Sequence, residues 1–89
     1  MKDMTRQEIF GKLKEIMLEA DDRNREIVEA STEETDLMKD FGFSSVNMLY
    51  IVIMIEESFG IRFTDLGVRD LRKVGDVISY ISKELEKKA

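Results

Sequence analysis

Two adjacent serines, Ser44 and Ser45, are the residues of this sequence best placed to do chemistry. They directly precede a long apolar segment, Val46 to Ile55, that is typical of a helix. A hydroxyl at a helix N-terminus is exposed and lies at the positive end of the helix dipole, where an anionic group is stabilised. Because the chain has no cysteine and no histidine, this serine pair is the best candidate for a chemically used side chain.

Composition disfavours several other kinds of function. Without cysteine there is no disulfide, no thiolate nucleophile and no Cys-based zinc site, and without histidine the usual general base is missing. We therefore expect a protein that is not an enzyme, and any thiol chemistry on it needs a thiol supplied by a cofactor. The net charge of −5 disfavours nucleic acid, since binding to phosphates needs a surplus of Lys and Arg.

Length and patterning predict one small globular domain over residues 1–89. The chain is 43% apolar and 37% charged, a balance typical of folded proteins. MKDMTRQEIF, at the start, lacks the apolar stretch of a signal peptide. The longest uncharged apolar run, Val46 to Ile55, is far shorter than the ~20 residues of a membrane span. We expect a cytoplasmic monomer that does not insert into membranes.

The first half of the chain predicts one helix and a long connection. Helix one starts after Thr5, which forms a capping box with Glu8, and fades near Ala20. The connection extends to about residue 43, and we expect Leu37 and Phe41 to anchor it to the core. Connections of this length are unusual in compact domains and are often functional.

Three more helices are predicted in the second half. Helix two should span Ser45 to Phe59 and end at Gly60 in a left-handed conformation. A short third helix is expected over Leu66 to Leu71, capped by Thr64 or Asp65. Helix four begins near Val74 and carries its apolar residues toward the core, namely Val77, Ile78, Ile81 and Leu85.

Predicted helix two is apolar around its whole circumference. Helical spacing assigns one face to the core, namely Leu49, Val52, Ile55 and Phe59. The other apolar residues should point partly outward, including Val46, Tyr50, Ile53 and Met54. Our hypothesis is that they form a hydrophobic docking patch. The alternative is that the second connection and the third helix cover them.

The segment Asp40 to Val46, DFGFSSV, resembles the Asp-Leu-Gly-x-Asp-Ser-Leu motif that opens the second helix of acyl carrier proteins. Glu56 to Gly60, EESFG, resembles the end of the same helix, and the spacing from Ser45 to Phe59 matches the family without a gap. Phe63 to Asp65 and the predicted fourth helix are similar to the family as well. The resemblance covers nearly the whole chain and implies an all-α, four-helix bundle with a long loop between helices one and two.

The resemblance implies that Ser45 carries phosphopantetheine, added from coenzyme A by a phosphopantetheinyl transferase. Acyl intermediates of fatty-acid, polyketide or related biosynthesis are then held on the arm as thioesters. It also implies acyl-processing enzymes as partners, bound through Val46, Asn47, Tyr50, Ile53, Met54, Glu56 and Glu57. A pocket for the acyl chain is expected between helices two, three and four, lined by Val52, Ile55, Phe59, Phe63, Leu71, Val74 and Ile78. No metal site is expected.

Several positions depart from the family pattern. Ser44 replaces the aspartate before the attachment serine, and Val46 replaces the usual leucine. Asn47 and Tyr50 replace two acidic residues that meet basic groups on partner enzymes in the family. Two alternatives follow: Ser45 acts only as a helix N-cap, or the protein is an unmodified carrier-like subunit with a structural or interaction role.

Overall fold

The computed structural model describes residues 4–20, 25–63 and 71–88, which form four helices. These are α1 (Arg6–Ala20), α2 (Arg25–Glu29), α3 (Ser45–Phe59) and α4 (Val74–Lys88). The all-α prediction is confirmed, and the predicted bounds of helices one and two agree with α1 and α3. The predicted third helix lies outside the described residues except for Leu71, which is buried just before α4. None of the described helices is long and apolar enough to cross a membrane.

Helix α1 begins at the predicted capping box and forms the centre of the packing. The backbone N–H of Thr5 donates to Glu8 Oε1 at 2.8 Å, and the Glu8 N–H donates to Thr5 Oγ1 at 3.1 Å. One face of α1 packs against α2, α3 and α4. Its buried side chains are Ile9, Leu13, Ile16 and Met17. This helix therefore supplies the surface on which the other three are assembled.

The connection between α2 and α3 is held onto the start of α4 by backbone hydrogen bonds. The N–H of Leu37 donates to the Arg72 carbonyl at 2.8 Å, and the N–H of Val74 donates to the Thr35 carbonyl at 2.9 Å. Leu37 and Phe41 are buried as predicted, and the Phe41 ring lies 5.1 Å from that of Phe43. The loop is thus packed on the core by its apolar side chains and hydrogen-bonded along its backbone.

Arg6 joins three parts of the fold. Its guanidinium forms an ion pair with the Glu33 carboxylate of the loop and donates to Ser79 Oγ of α4 at 3.1 Å. The hydrogen bonds from Arg6 lower the pKa of the Glu33 carboxyl, so this group stays ionised over a wider range of pH. Both partners are partly exposed, so the ion pair orients the loop more than it stabilises the fold.

The structure corrects the predicted core face of α3. Leu49 was expected in the core but is 62% exposed, whereas Ile51 is buried. At about 100° per residue, Leu49 lies about 120° around the helix from Ile55, while Ile51 lies only about 40° from it. Leu49 and Val52 are three residues apart, which is a helical spacing. Because Val52 already lies at the edge of the buried face, a residue three positions before it falls outside that face.

We predict opposite effects of alanine at two helical glycines. A Cβ at Gly75 would lie 3.0 Å from the Glu33 carbonyl oxygen, whereas a Cβ at Gly11 has nothing within 4 Å. Gly11→Ala should stabilise the protein by roughly 0.5–1 kcal/mol, because alanine loses less entropy in a helix. Gly75→Ala should destabilise it by about 1–2 kcal/mol through overpacking against the loop.

Urea unfolding monitored by circular dichroism measures both changes. If Gly75→Ala stabilised the protein as much as Gly11→Ala, the loop would be able to move away from residue 75 without loss of stability, and Glu33 would not be firmly held against α4.

Candidate functional site

Ser44 is the N-cap of α3, and its side chain is fully engaged in that role. The N–H of Asn47 donates to Ser44 Oγ at 3.2 Å, and the Ser44 N–H donates to Asn47 Oδ1 at 3.1 Å, which completes a capping box. The Ser44 hydroxyl also donates to Asn47 Oδ1 at 2.9 Å. Its donor and acceptor functions are both used, so this hydroxyl is a poor candidate for modification.

Ser45 is the first residue of α3, and its side chain is exposed. Its hydroxyl forms no hydrogen bond with the part of the chain that the structure describes. The alternative in which Ser45 is the N-cap is therefore wrong, because Ser44 takes that position. What remains at Ser45 is an accessible hydroxyl beside the unpaired backbone N–H groups of a helix N-terminus, a place that favours a bound negative charge.

The turn before α3 places the serine pair at the surface. Gly42 has φ 71°, a left-handed conformation in which an L side chain would be strained. On either side of it Phe41 and Phe43 are buried, and the Phe43 N–H donates to the Leu37 carbonyl at 3.3 Å. Two buried rings thus fix the backbone on the core, and the chain leaves the core at Ser44.

An open, mainly apolar groove of about 570 Å³ begins at Ser45. The side chains around it come from α3, from the loop before it and from the segment before α4. They are Met38, Ser45, Met48, Leu49, Val52, Leu71 and Arg72. The groove is large enough for part of a flexible apolar ligand.

The groove contains only two of the seven residues predicted to line an acyl pocket, Val52 and Leu71. Four others are packed in the core, namely Ile55, Phe59, Val74 and Ile78. Phe63 is partly buried and stacks on Tyr80 with ring centroids 4.6 Å apart. The other groove residues that the structure describes, Met38, Met48, Leu49 and Arg72, were not among the predicted pocket residues. Positions 48, 49 and 52 are neighbours on the surface of α3. Their helical spacing is visible in the sequence, but the same spacing fits a buried face, so it does not show that these residues line a groove.

Charged groups lie at the rim of the groove near Met38. Asp36, Lys39 and Arg72 surround a smaller depression that Met38 also lines. The Lys39 N–H donates to the Asp36 carboxylate at 2.7 Å, and this hydrogen bond lowers the pKa of Asp36, with smaller contributions from the Met38 N–H and from the charges of Arg72 and Lys39. Asp36 is therefore an anion facing two cations.

The outer face of α3, defined here by Val46, Leu49, Tyr50 and Ile53, is uncovered. Its exposed fractions are 76% for Val46, 62% for Leu49, 43% for Tyr50 and 44% for Ile53. The other residues predicted to bind partners differ in exposure. Asn47 and Met54 are partly buried, Glu57 is exposed, and Glu56 accepts a hydrogen bond from the Phe63 N–H at 2.8 Å.

We predict that the two serines differ in their effect on stability. Ser44→Ala should lower the free energy of unfolding by about 1 kcal/mol, because the α3 cap is lost. Ser45→Ala should change it by less than about 0.5 kcal/mol, because an exposed side chain without partners is removed. Asn47→Asp is the matched control, since it keeps the oxygen acceptor and adds a negative charge to the first turn.

Urea unfolding of the four proteins tests this difference. Equal destabilisation by Ser44→Ala and Ser45→Ala would contradict the assignment of the cap to Ser44 alone.

Comparison with known proteins identifies the family. No family model matches the chain. The chain is 36% identical to the acyl carrier protein of Thermotoga maritima over 81 residues, covering 91% of this chain and 96% of that protein. It is 40% identical to the acyl carrier protein of Renibacterium salmoninarum over 76 residues, covering 85% and 90%. The crystal structure of a Thermotoga maritima acyl carrier protein superposes with a TM-score of 0.81 at 30% identity, covering 94% of both chains. The chain belongs to the acyl carrier protein family, whose members are carriers and not enzymes.

Proposed function

We propose that this carrier holds its acyl cargo on a phosphopantetheine group attached to Ser45. The observation that carries the proposal is the division of roles between the two serines. Ser44 is engaged in the cap, and Ser45 presents an exposed hydroxyl at the N-terminus of α3. Members of the family generally carry this group, and it supplies the thiol that the chain itself lacks.

The residues around Ser45 suit a phosphodiester. The Ser45 Oγ–P bond forms with loss of the hydroxyl proton, the pyrophosphate bond of coenzyme A breaks, and adenosine 3′,5′-bisphosphate leaves. The new anion lies beside the unpaired N–H groups of the first turn of α3. That turn contains no acidic residue. Interaction with the helix dipole therefore contributes about 0.3–1 kcal/mol, with no carboxylate in the same turn to oppose it.

We further propose that the groove beside Ser45 receives the start of the acyl chain. Met48, Leu49 and Val52 give it an apolar wall that runs along α3 from the attachment residue. Burial of apolar groups stabilises by about 0.8 kcal/mol per CH₂, so covering three of them contributes about 2 kcal/mol. The partners are a phosphopantetheinyl transferase and acyl-processing enzymes of a fatty-acid, polyketide or related pathway.

A second candidate is an unmodified, carrier-like interaction subunit. The observation in its favour is that Ser44 stands where the family has an aspartate, so the attachment serine has no neighbouring carboxylate. The two candidates differ in one measurable property, the covalent state of Ser45.

Intact-mass measurement after incubation with coenzyme A and phosphopantetheinyl transferases distinguishes them. We expect one phosphopantetheine to be added to the wild type and to Ser44→Ala, and none to Ser45→Ala. Circular dichroism of Ser45→Ala confirms that the variant is folded. A wild type that stays unmodified by several transferases, including that of its own organism, would support the interaction subunit instead.

We predict that an acyl chain in the groove stabilises the fold. The octanoyl form should melt several degrees above the form with a free thiol, because the chain covers part of the groove. Leu49→Gln should remove much of this difference while leaving the unloaded protein nearly unchanged, since Leu49 is 62% exposed. Ile27→Gln, at an exposed position of α2, is the control and should keep the full difference. Equal melting temperatures of the loaded and unloaded wild type would argue against the groove.

A further inference from the structure

The groove that begins at Ser45 contains a guanidinium, that of Arg72. From Ser45 to Phe59, α3 has no Lys or Arg in its sequence, so a positive side chain near the attachment residue has to come from another part of the fold. Arg72 comes from the segment before α4, and it is the charged side chain among the groove residues that the structure describes. A negative charge placed on Ser45 therefore enters a groove that already has a cation in its lining.

The backbone of Arg72 is held from two sides. The Leu37 N–H donates to the Arg72 carbonyl at 2.8 Å, and the Arg72 N–H donates to the Asp76 carboxylate at 3.4 Å. The side chains of Leu71 and Val74 on either side are buried, whereas that of Arg72 is exposed. The guanidinium is therefore attached to a backbone of fixed position, while its own side chain is free to change rotamer.

The carboxylates closest to this region are engaged with backbone N–H groups. Asp36 Oδ1 accepts from the N–H groups of Met38 at 2.9 Å and Lys39 at 2.7 Å, and Asp40 accepts from the Asp36 N–H at 2.7 Å. The charge of Arg72 contributes to the lowered pKa of Asp36. Within the described residues, however, no ion pair joins the Arg72 guanidinium to a carboxylate. Arg72 is therefore attracted to Asp36 from a distance and can turn toward a closer anion.

The two lysines of this region are less suited to an anion on Ser45. The Lys73 Nζ forms an ion pair with Glu34 Oε1 at 2.9 Å, and Lys39 lines the smaller depression beside the groove. A guanidinium can also bind a phosphate group through two parallel N–H···O hydrogen bonds, whereas an ammonium acts as a point charge. Arg72 therefore combines the position and the chemistry that a phosphodiester requires.

We propose that Arg72 is the counter-ion of the phosphodiester on Ser45 and directs the start of the arm into the groove. This inference rests on the proposed attachment at Ser45. The phosphate is then held at two points, by its covalent bond to Ser45 Oγ and by the guanidinium. Because Arg72 belongs to the segment before α4, the pair also joins this segment to the start of α3. Arg72 is thus a positioning residue, and its ion pair forms only in the modified carrier.

NMR spectroscopy before and after phosphopantetheine attachment tests the pairing. We expect the Arg72 Nε–Hε resonance to shift downfield on attachment, and the phosphorus resonance of the modified protein to move with Arg72→Gln. Arg72→Lys should restore part of the phosphorus shift, since it keeps the charge and loses the bidentate geometry. The matched control is Lys39→Gln, which removes a neighbouring positive charge outside the groove and should leave the phosphorus resonance unchanged.

Hydrogen exchange of the segment around Arg72 gives a second measurement. The amides of Leu37 and Val74, which bond the loop to this segment, should exchange about two- to fivefold more slowly in the modified protein, the range expected for an exposed ion pair. The slowing should be absent from Arg72→Gln. It should also decrease at about 1 M NaCl, where the Debye length is about 3 Å. Circular dichroism shows that each variant is folded.

The outcomes separate this inference from the proposed function. An intact mass without added phosphopantetheine overturns the attachment at Ser45, and the pairing with it. If the group is attached and both resonances stay unchanged, the attachment holds and the pairing is wrong. Arg72 is then the counter-ion of Asp36, and Asp36→Asn, which keeps the oxygen that accepts the backbone N–H groups, should shift its resonance. Equal phosphorus shifts with Arg72→Gln and Lys39→Gln would reduce the effect to general positive charge and likewise overturn the role of Arg72.

Discussion

The backbone hydrogen bonds between the long loop and the start of α4 fix the geometry on which the site depends. They join Leu37 to Arg72 and Thr35 to Val74, and the Gly75 N–H donates to the Glu33 carbonyl at 2.8 Å. These contacts lie on the short stretch that ends at Gly42, after which the chain turns into α3. The same stretch is also fixed to the core by three buried side chains, those of Leu37, Phe41 and Phe43. The position of Ser45 is thus set by a loop anchored at both its backbone and its side chains.

The two serines show how one local motif separates structure from chemistry. A helix start needs a side chain that accepts hydrogen bonds from its orphan N–H groups, and a modification site needs a hydroxyl with no such duty. In this chain the first need is met by Ser44 with Asn47, which leaves Ser45 unengaged. Replacing the family's aspartate by Ser44 therefore does not weaken the start of α3, because serine is as good an N-cap as aspartate.

Much of this arrangement could be predicted from the sequence, because local signals agree with the fold. The capping box of α1, the glycine conformations at Gly42 and Gly60 and the bounds of α3 all follow from short-range chemistry. The orientation of α3 could not be read in the same way. When a helix is apolar all round, its periodicity does not say which side is buried, and for that reason the helical spacing assigns Leu49 to the core although it is exposed and Ile51 is buried. The groove combines residues distant in sequence, Met38, Leu49 and Arg72, so its lining depends on tertiary packing.

The absence of an acidic residue from the first turn of α3 has a consequence for the energetics of loading. A phosphodiester on Ser45 would add a negative charge to a first turn that has none of its own, so attachment and helix order would be thermodynamically linked. The N-terminal turn of α3 would then fray less often in the loaded carrier than in the unloaded one. Amide protons there would exchange more slowly with solvent, and the protein would distinguish its two states by local rigidity as well as by the arm itself.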